Sequence, residues 1–164
     1  MAFGLFAKVA TAQDVKPIQL SLIKPVQIFS EDTSIHGLRL NILYGVNQDV
    51  FGLDIGLANH TKGVFKGFEY GLVNMTDGDA YGWQHGLVNI VDGSMEGLQT
   101  GFYNSSATAA GVQYGFINVA ENMTGFQFGL FNMTRNMKGL QIGIINVIKD
   151  KGTLPILPLI NWSF

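Results

Sequence analysis

The side chains that could do chemistry are few and scattered. The histidines are His36, His60 and His85. His60 and His85 fall at different positions of the repeat described below, so no stacking register brings them together. An imidazole on its own at a repeat surface is ordinarily solvated. No Gly-x-Ser-x-Gly elbow, phosphate-binding loop or His-Glu-x-x-His pattern occurs. Asp54 and Glu69 stand one repeat apart, so stacked coils would bring their carboxylates to about 5 Å. Like charges that close raise one pKa or hold a cation between them. Arg39, one repeat earlier, offers the simpler solution, a charge ladder Arg39–Asp54–Glu69, and that is the expected one. Asp77-Gly78-Asp79 resembles a fragment of a calcium loop, but turn chemistry explains it as well. There is no cysteine, which excludes disulfides, thiolate metal sites and thiol catalysis. The reading is a protein that is not an enzyme, with no catalytic, cofactor-binding or metal-ligating residue.

Composition narrows the partners. The chain has 164 residues with 10 Lys plus Arg against 12 Asp plus Glu. A nucleic-acid surface needs a clustered basic face, which this balance does not supply. Charged residues make up only 13% and Gly numbers 21, against roughly 25% charged in an average soluble domain. That mixture suits a stacked β-architecture or a chain that touches lipid. No run reaches the ~18 apolar residues of a transmembrane helix.

The elements that must carry these residues are set by a tandem repeat. Gly37, Gly52, Gly67, Gly82 and Gly97 recur every 15 residues, then Gly111, Gly125 and Gly139 every 14. With that Gly as slot one, slot two is large and apolar, from Leu38 to Leu140. Slot three is Arg39, Asp54 and Glu69, then Gln84, Gln99, Gln113, Gln127 and Gln141. Slot five is Gly from Gly56 to Gly143, with Asn41 departing, and slot six is apolar from Ile42 to Ile144. Slot eight is Asn from Asn59 to Asn146, with Tyr44 departing. Slots two to seven alternate, the period of a strand, and turn residues lie between them. Each unit therefore reads as one principal strand, a corner and a short return, with almost no helix. Slot ten holds Thr61, Thr76, Ser106 and Thr134, but Val91, Ala120 and Ile148 interrupt it, which argues against a flat threonine array. Asn-x-Ser/Thr at Asn59, Asn74, Asn104, Asn122, Asn132 and Asn161 follows mostly from the repeat itself.

Two all-β architectures accept such a string. In a β-solenoid of 14–15-residue coils, like slots stack on like, and columns of Asn and Gln satisfy one another. In a ten-stranded antiparallel β-barrel of the outer-membrane type, neighbours run in opposite directions. The ladder logic favours the solenoid. Trp162 and the terminal Phe164 resemble a barrel assembly signal, yet the apolar stretches are short of the ~9–11-residue strands a bilayer demands.

The unit Gly97-Leu98-Gln99-Thr100-Gly101-Phe102-Tyr103-Asn104, repeated at Gly139-Leu140-Gln141-Ile142-Gly143-Ile144-Ile145-Asn146, resembles a family of bacterial surface repeat proteins over about residues 37–164. That resemblance implies export to the cell envelope, the outer membrane or cell surface, and carries no catalytic residues with it. Residues 1–12, ending in Ala10-Thr11-Ala12, read as a truncated signal-peptide remnant. Residues 13–36 read as a degenerate first repeat or cap, with Pro17 to Leu22 as its strand. Residues 37–153 are eight tandem repeats. Residues 154–164 read as a ninth, capping copy, with Asn161 in the Asn slot. Pro155 and Pro158 should block further pairing there, and Trp162 and Phe164 should fold over the exposed core. The function expected is a structural or interaction module of the envelope, its partners being other envelope components or further copies of itself, with membrane contact allowed. The alternative is a small outer-membrane barrel acting as anchor or pore.

Overall fold

A computed structural model describes residues 14–164, so the expected signal-peptide remnant lies outside the described residues. The chain is a β-solenoid of about nine turns. Its strands are β1 (Val15–Ile23), β2 (Val26–Gln27), β3 (Ser34–Asn47), β4 (Val50–Thr61), β5 (Phe65–Tyr70), β6 (Val73–Thr76), β7 (Ala80–His85), β8 (Val88–Phe128), β9 (Phe131–Ile148) and β10 (Ile156–Ser163). From β3 to β9 the pairing is parallel, with Gly52 beside Gly67, Gly67 beside Gly82 and Gly82 beside Gly97. Parallel stacking rules out the antiparallel barrel, in which slot three could not lie beside slot three.

One coil shows the local logic. β5 and β6 are separate strands joined at a corner by Gly71-Leu72. The alternation of slots two to seven thus runs through a corner and is not one strand, because Gly71 turns inward there and Leu72 outward. The slot-one glycine is a steric requirement. Gly111 has φ +135°, and a Cβ on it would lie 2.1 Å from the carbonyl oxygen of Gly97. The same near-collision recurs from Gly52 to Gly139. In slot five the obstacle is an amide: a Cβ on Gly86 would lie 2.4 Å from the Gly71 carbonyl oxygen and 2.8 Å from Asn74 Nδ2.

The interior is built from amides. Each slot-eight Asn donates its Nδ2 to the Oδ1 of the next, from Asn59 to Asn74 (2.9 Å) through to Asn132 to Asn146 (2.8 Å). Each also donates to a corner carbonyl, as Asn118 does to Phe128 (2.9 Å). The Gln column runs the other way: Gln99 donates to Gln84 (3.0 Å) and Gln141 to Gln127 (2.7 Å). Both columns are buried from solvent. Opposed polarity lets the dipoles of the two columns offset each other, and amides in a dry interior are tolerated because they are bonded. Asn118→Ala removes an acceptor for Asn104 and two donations, to Asn132 and Phe128. The expected loss is about 1–3 kcal/mol in denaturant unfolding; a change within about 0.5 kcal/mol, the size of an ordinary surface substitution, would contradict the ladder.

The two departures of the first full coil compensate each other. The register between β3 and β4 slips by one between Asn41 and Tyr44, so Gly45, not Tyr44, lies beside Asn59. Asn41, in the slot where a Gly is usual, swings its amide into the vacated space and donates to Asn59 Oδ1 (2.8 Å). A Cβ on Gly45 would lie 1.8 Å from Asn41 Oδ1, so Gly45 is the residue that makes room.

Apolar packing fills the rest of the interior in two clusters. Ile35, Val50, Phe65, Ala80, Val91 and Met95 form one; Ala109, Ala120, Met123, Met137 and Ile148 form the other. The boundary falls between the Gly97 and Gly111 coils, where the period drops from 15 to 14. The longer coils carry Gln48, Gly63, Gly78 or Gly93 at slot twelve in their second corner, and the shorter ones are one residue shorter there. Slot ten points inward, Thr61, Thr76 and Thr134 being buried with Val91 and Ile148.

The ends differ from the body. At the start, β1 stacks parallel on β3, with Ile18 on Leu38 and Gln19 on Arg39, and β2 folds back on it antiparallel. At the finish the expected ninth coil does not form. β10 reverses and pairs antiparallel with β9, placing Asn161 beside Gln141 and Leu157 beside Asn146. Slot one demands a residue without Cβ, and Leu154 and Pro158 stand where both glycines should be, so parallel stacking is sterically closed. The chain turns back through Gly152 (φ 81°) and Leu154 (φ 53°). β10 is the terminal strand of the sheet order, with a register break at Pro158. Phe164 does not fold over the core: it is 95% exposed, and Trp162 instead carries Lys151 Nζ over its ring at 4.9 Å.

Candidate interaction surface

The buried charges sit at the head of the Gln column. Arg39 grips Asp54 through two bonds, Nε to Oδ1 at 2.9 Å and Nη2 to Oδ2. It also donates to the His60 carbonyl (2.8 Å) and Thr61 Oγ1 (3.2 Å). Asn41 adds a bond to Asp54 (3.1 Å). Glu69 follows in register and accepts from Gln84 Nε2 at 2.8 Å. Its burial, and next the Asp54 carboxylate beside it, push its carboxyl well above the usual glutamate range. Glu69 Oε1 finds no donor, as befits an oxygen that carries a proton. The ladder Arg39–Asp54–Glu69 is therefore an ion pair followed by a carboxyl biased toward its neutral form, continued by glutamines.

A carboxyl that stays protonated when folded costs stability once the unfolded chain can ionise it. The contribution of Glu69 to stability should be fully present at or below the ordinary glutamate pKa. It should fall as pH rises from there toward the raised folded value. Glu69→Gln, which matches the following five copies, should flatten that slope and raise the melting temperature at pH 8. Melting curves from pH 4 to 9 that fall equally in both proteins would contradict this.

The histidines are each engaged separately. His36 stacks on Phe51 with ring centroids 4.4 Å apart. His60 bridges three coils, meeting Tyr44 Oη at Nδ1 (2.9 Å) and Asp77 Oδ1 at Nε2 (2.8 Å). His85 meets Thr100 Oγ1 (2.7 Å), which also accepts from Trp83 Nε1 (2.8 Å), and Tyr70 stacks on the imidazole. In the Asp77-Gly78-Asp79 turn, Asp77 engages His60 and Asp79 caps the backbone N–H of Ser94 (2.8 Å). Of the Asn-x-Ser/Thr sites, Asn59, Asn74, Asn104, Asn132 and Asn161 are buried. Asn122 bonds Asn136 across the second corner (3.1 Å).

With amides inside, the apolar slots face outward. Slot two exposes Leu53, Trp83 and Phe126; slot four exposes Ile55, Tyr70 and Tyr114; slot six exposes Leu57, Leu72, Leu87 and Phe102; slot seven exposes Phe131 and Ile145. From Asp49 to Lys151, every Asp, Glu, Lys and Arg side chain other than buried Asp54 and Glu69 lies in slots eleven to fifteen. The cross-section is thus divided into a charged corner and, opposite it, an apolar wedge that spans both sheet faces and the Gly-Leu corner. Along the wedge runs a groove floored by the slot-five glycines and walled by slots four and six. One stretch of about 520 Å³ takes in Tyr70, Leu72, His85, Leu87 and Phe102. The next, of about 530 Å³, continues through Gly101, Phe102 and Tyr114 to Phe128 and Ile142. Sequence reasoning found these columns but not the side they face; the signal was the pairing of buried-type amides with outward apolar slots.

Compared with family models, curated proteins and solved structures, the chain finds no match. What defines it is its own geometry: a β-solenoid with laddered amides inside and apolar columns outside.

Proposed function

We infer that the chain is a non-enzymatic module of the bacterial cell envelope, exported to the outer membrane or cell surface, where it serves a structural or interaction role. The observation that supports this reading best is the outer surface itself. One apolar contact pattern is repeated coil after coil on a rigid frame, the form in which repeat proteins present extended binding surfaces. Contiguous exposed apolar area on this scale marks interaction rather than catalysis. The Gly-Leu-Gln-x-Gly-Leu-x-Asn unit adds the resemblance to surface repeat proteins. Fractionation of the native cells tests it: the protein should partition with the envelope, and recovery in the cytosolic fraction would refute the reading.

A further inference from the structure

We propose that the apolar wedge seats in one leaflet of a lipid bilayer, with the charged corner facing water and acyl chains lying along the glycine-floored groove. The inference rests on the envelope reading above and names its partner. Shape argues first. The wedge wraps both faces of the coil stack and the Gly-Leu corner between them, so a second copy docked on one flat face would leave the other face and the corner uncovered. A fluid hydrocarbon phase covers all three.

Depth argues second. Slots two to four span two steps of strand, about 7 Å, and the Gly-Leu corner lies beyond them, a reach that fits within half of a bilayer's hydrocarbon core, about 15 Å. The outward side chains of slots two to nine from Leu53 onward include no Lys, Arg, Asp or Glu, as a buried depth requires. The groove's chemistry argues third. Its floor N–H groups are already spent between coils, Gly71 donating to the His85 carbonyl (3.0 Å), Gly86 to that of Thr100 (3.0 Å) and Gly129 to that of Ile142 (3.0 Å). An extended peptide laid there would find no backbone partners, whereas an alkyl chain needs none. Satisfied backbone is also what hydrocarbon demands of any strand that enters it.

The test uses the full chain and phosphatidylcholine–phosphatidylglycerol vesicles. The protein should float with the vesicles. In a Trp162→Phe background, Trp83 emission should be quenched about twofold or more by lipids brominated on the acyl chain. Leu87→Glu with Phe102→Glu, both outward-facing, should lower vesicle binding more than tenfold while the far-ultraviolet circular dichroism stays unchanged. Lys138→Gln, in the charged segment, should leave it intact. Failure to float, unquenched Trp83, or discrete oligomers that exclude lipid and dissociate in the double Glu variant would each overturn the proposal. If the protein fractionates with the envelope yet fails to bind vesicles, the lipid inference falls and the envelope reading stands. Recovery in the cytosol removes the envelope reading itself.

Discussion

Gly111→Ala is expected to split the molecule's unfolding in two. The added methyl would lie 2.1 Å from the Gly97 carbonyl oxygen and 3.0 Å from its carbon, at a φ of +135° that L side chains rarely adopt. Neither atom can retreat, because both belong to backbone held by the neighbouring coil. The Gly97 and Gly111 coils must then separate locally, giving up inter-coil hydrogen bonds worth about 1 kcal/mol each. Their separation falls where the two apolar clusters meet, after Met95 and before Ala109. Stability in a stacked repeat is a sum of coil and interface terms, so a broken interface uncouples its flanks. A loss above about 4 kcal/mol is expected, with two calorimetric transitions where the parent shows one. A single transition at an unchanged midpoint would show that the glycine column is not a steric requirement.

Arg39→Ala should cost nearly as much for a different reason. Arg39 and Asp54 are fully buried, and among the described residues the guanidinium supplies the only cation facing Asp54 and Glu69. Removing it leaves Asp54 ionised without compensation, or forces a second proton into the interior. Breaking one side of a buried pair costs about 3–5 kcal/mol, roughly 10 °C in melting temperature for a chain of this length. Arg39→Gln combined with Asp54→Gln should recover most of that loss by extending the amide column back one coil. Should Arg39→Ala melt within about 2 °C of the parent, the charge pair would be shown to be incidental.

Much of this was legible in the chain. The 15- and 14-residue spacings, the run of Gln at slot three and Asn at slot eight favour parallel stacking over the antiparallel barrel, because only stacked coils place Gln84 on Gln99 and Asn74 on Asn89. The charge ladder was legible for the same reason, since Arg39, Asp54 and Glu69 share a slot. Even the reversal at the end had a sign, the replacement of both glycines by Leu154 and Pro158, although Asn161 at the right spacing suggested another coil.

The tertiary structure alone decided which side is inside. A period of two places alternate residues on opposite faces but says nothing of which face is enclosed. Burying Leu72, Leu87 and Phe102 would have put the amides in water. The narrow coil instead encloses the flat amides, which bond along the axis, and turns the bulkier apolar side chains out. Three-dimensional context also decided that Asn41 would reach across to replace the missing Asn, because that exchange needs the one-residue register slip beside Gly45. It decided as well that the Glu69 carboxyl would be biased toward its protonated form, which depends on complete burial next to Asp54. Spacing determines which residues stack; enclosure, with the dielectric it brings, determines what those stacks become.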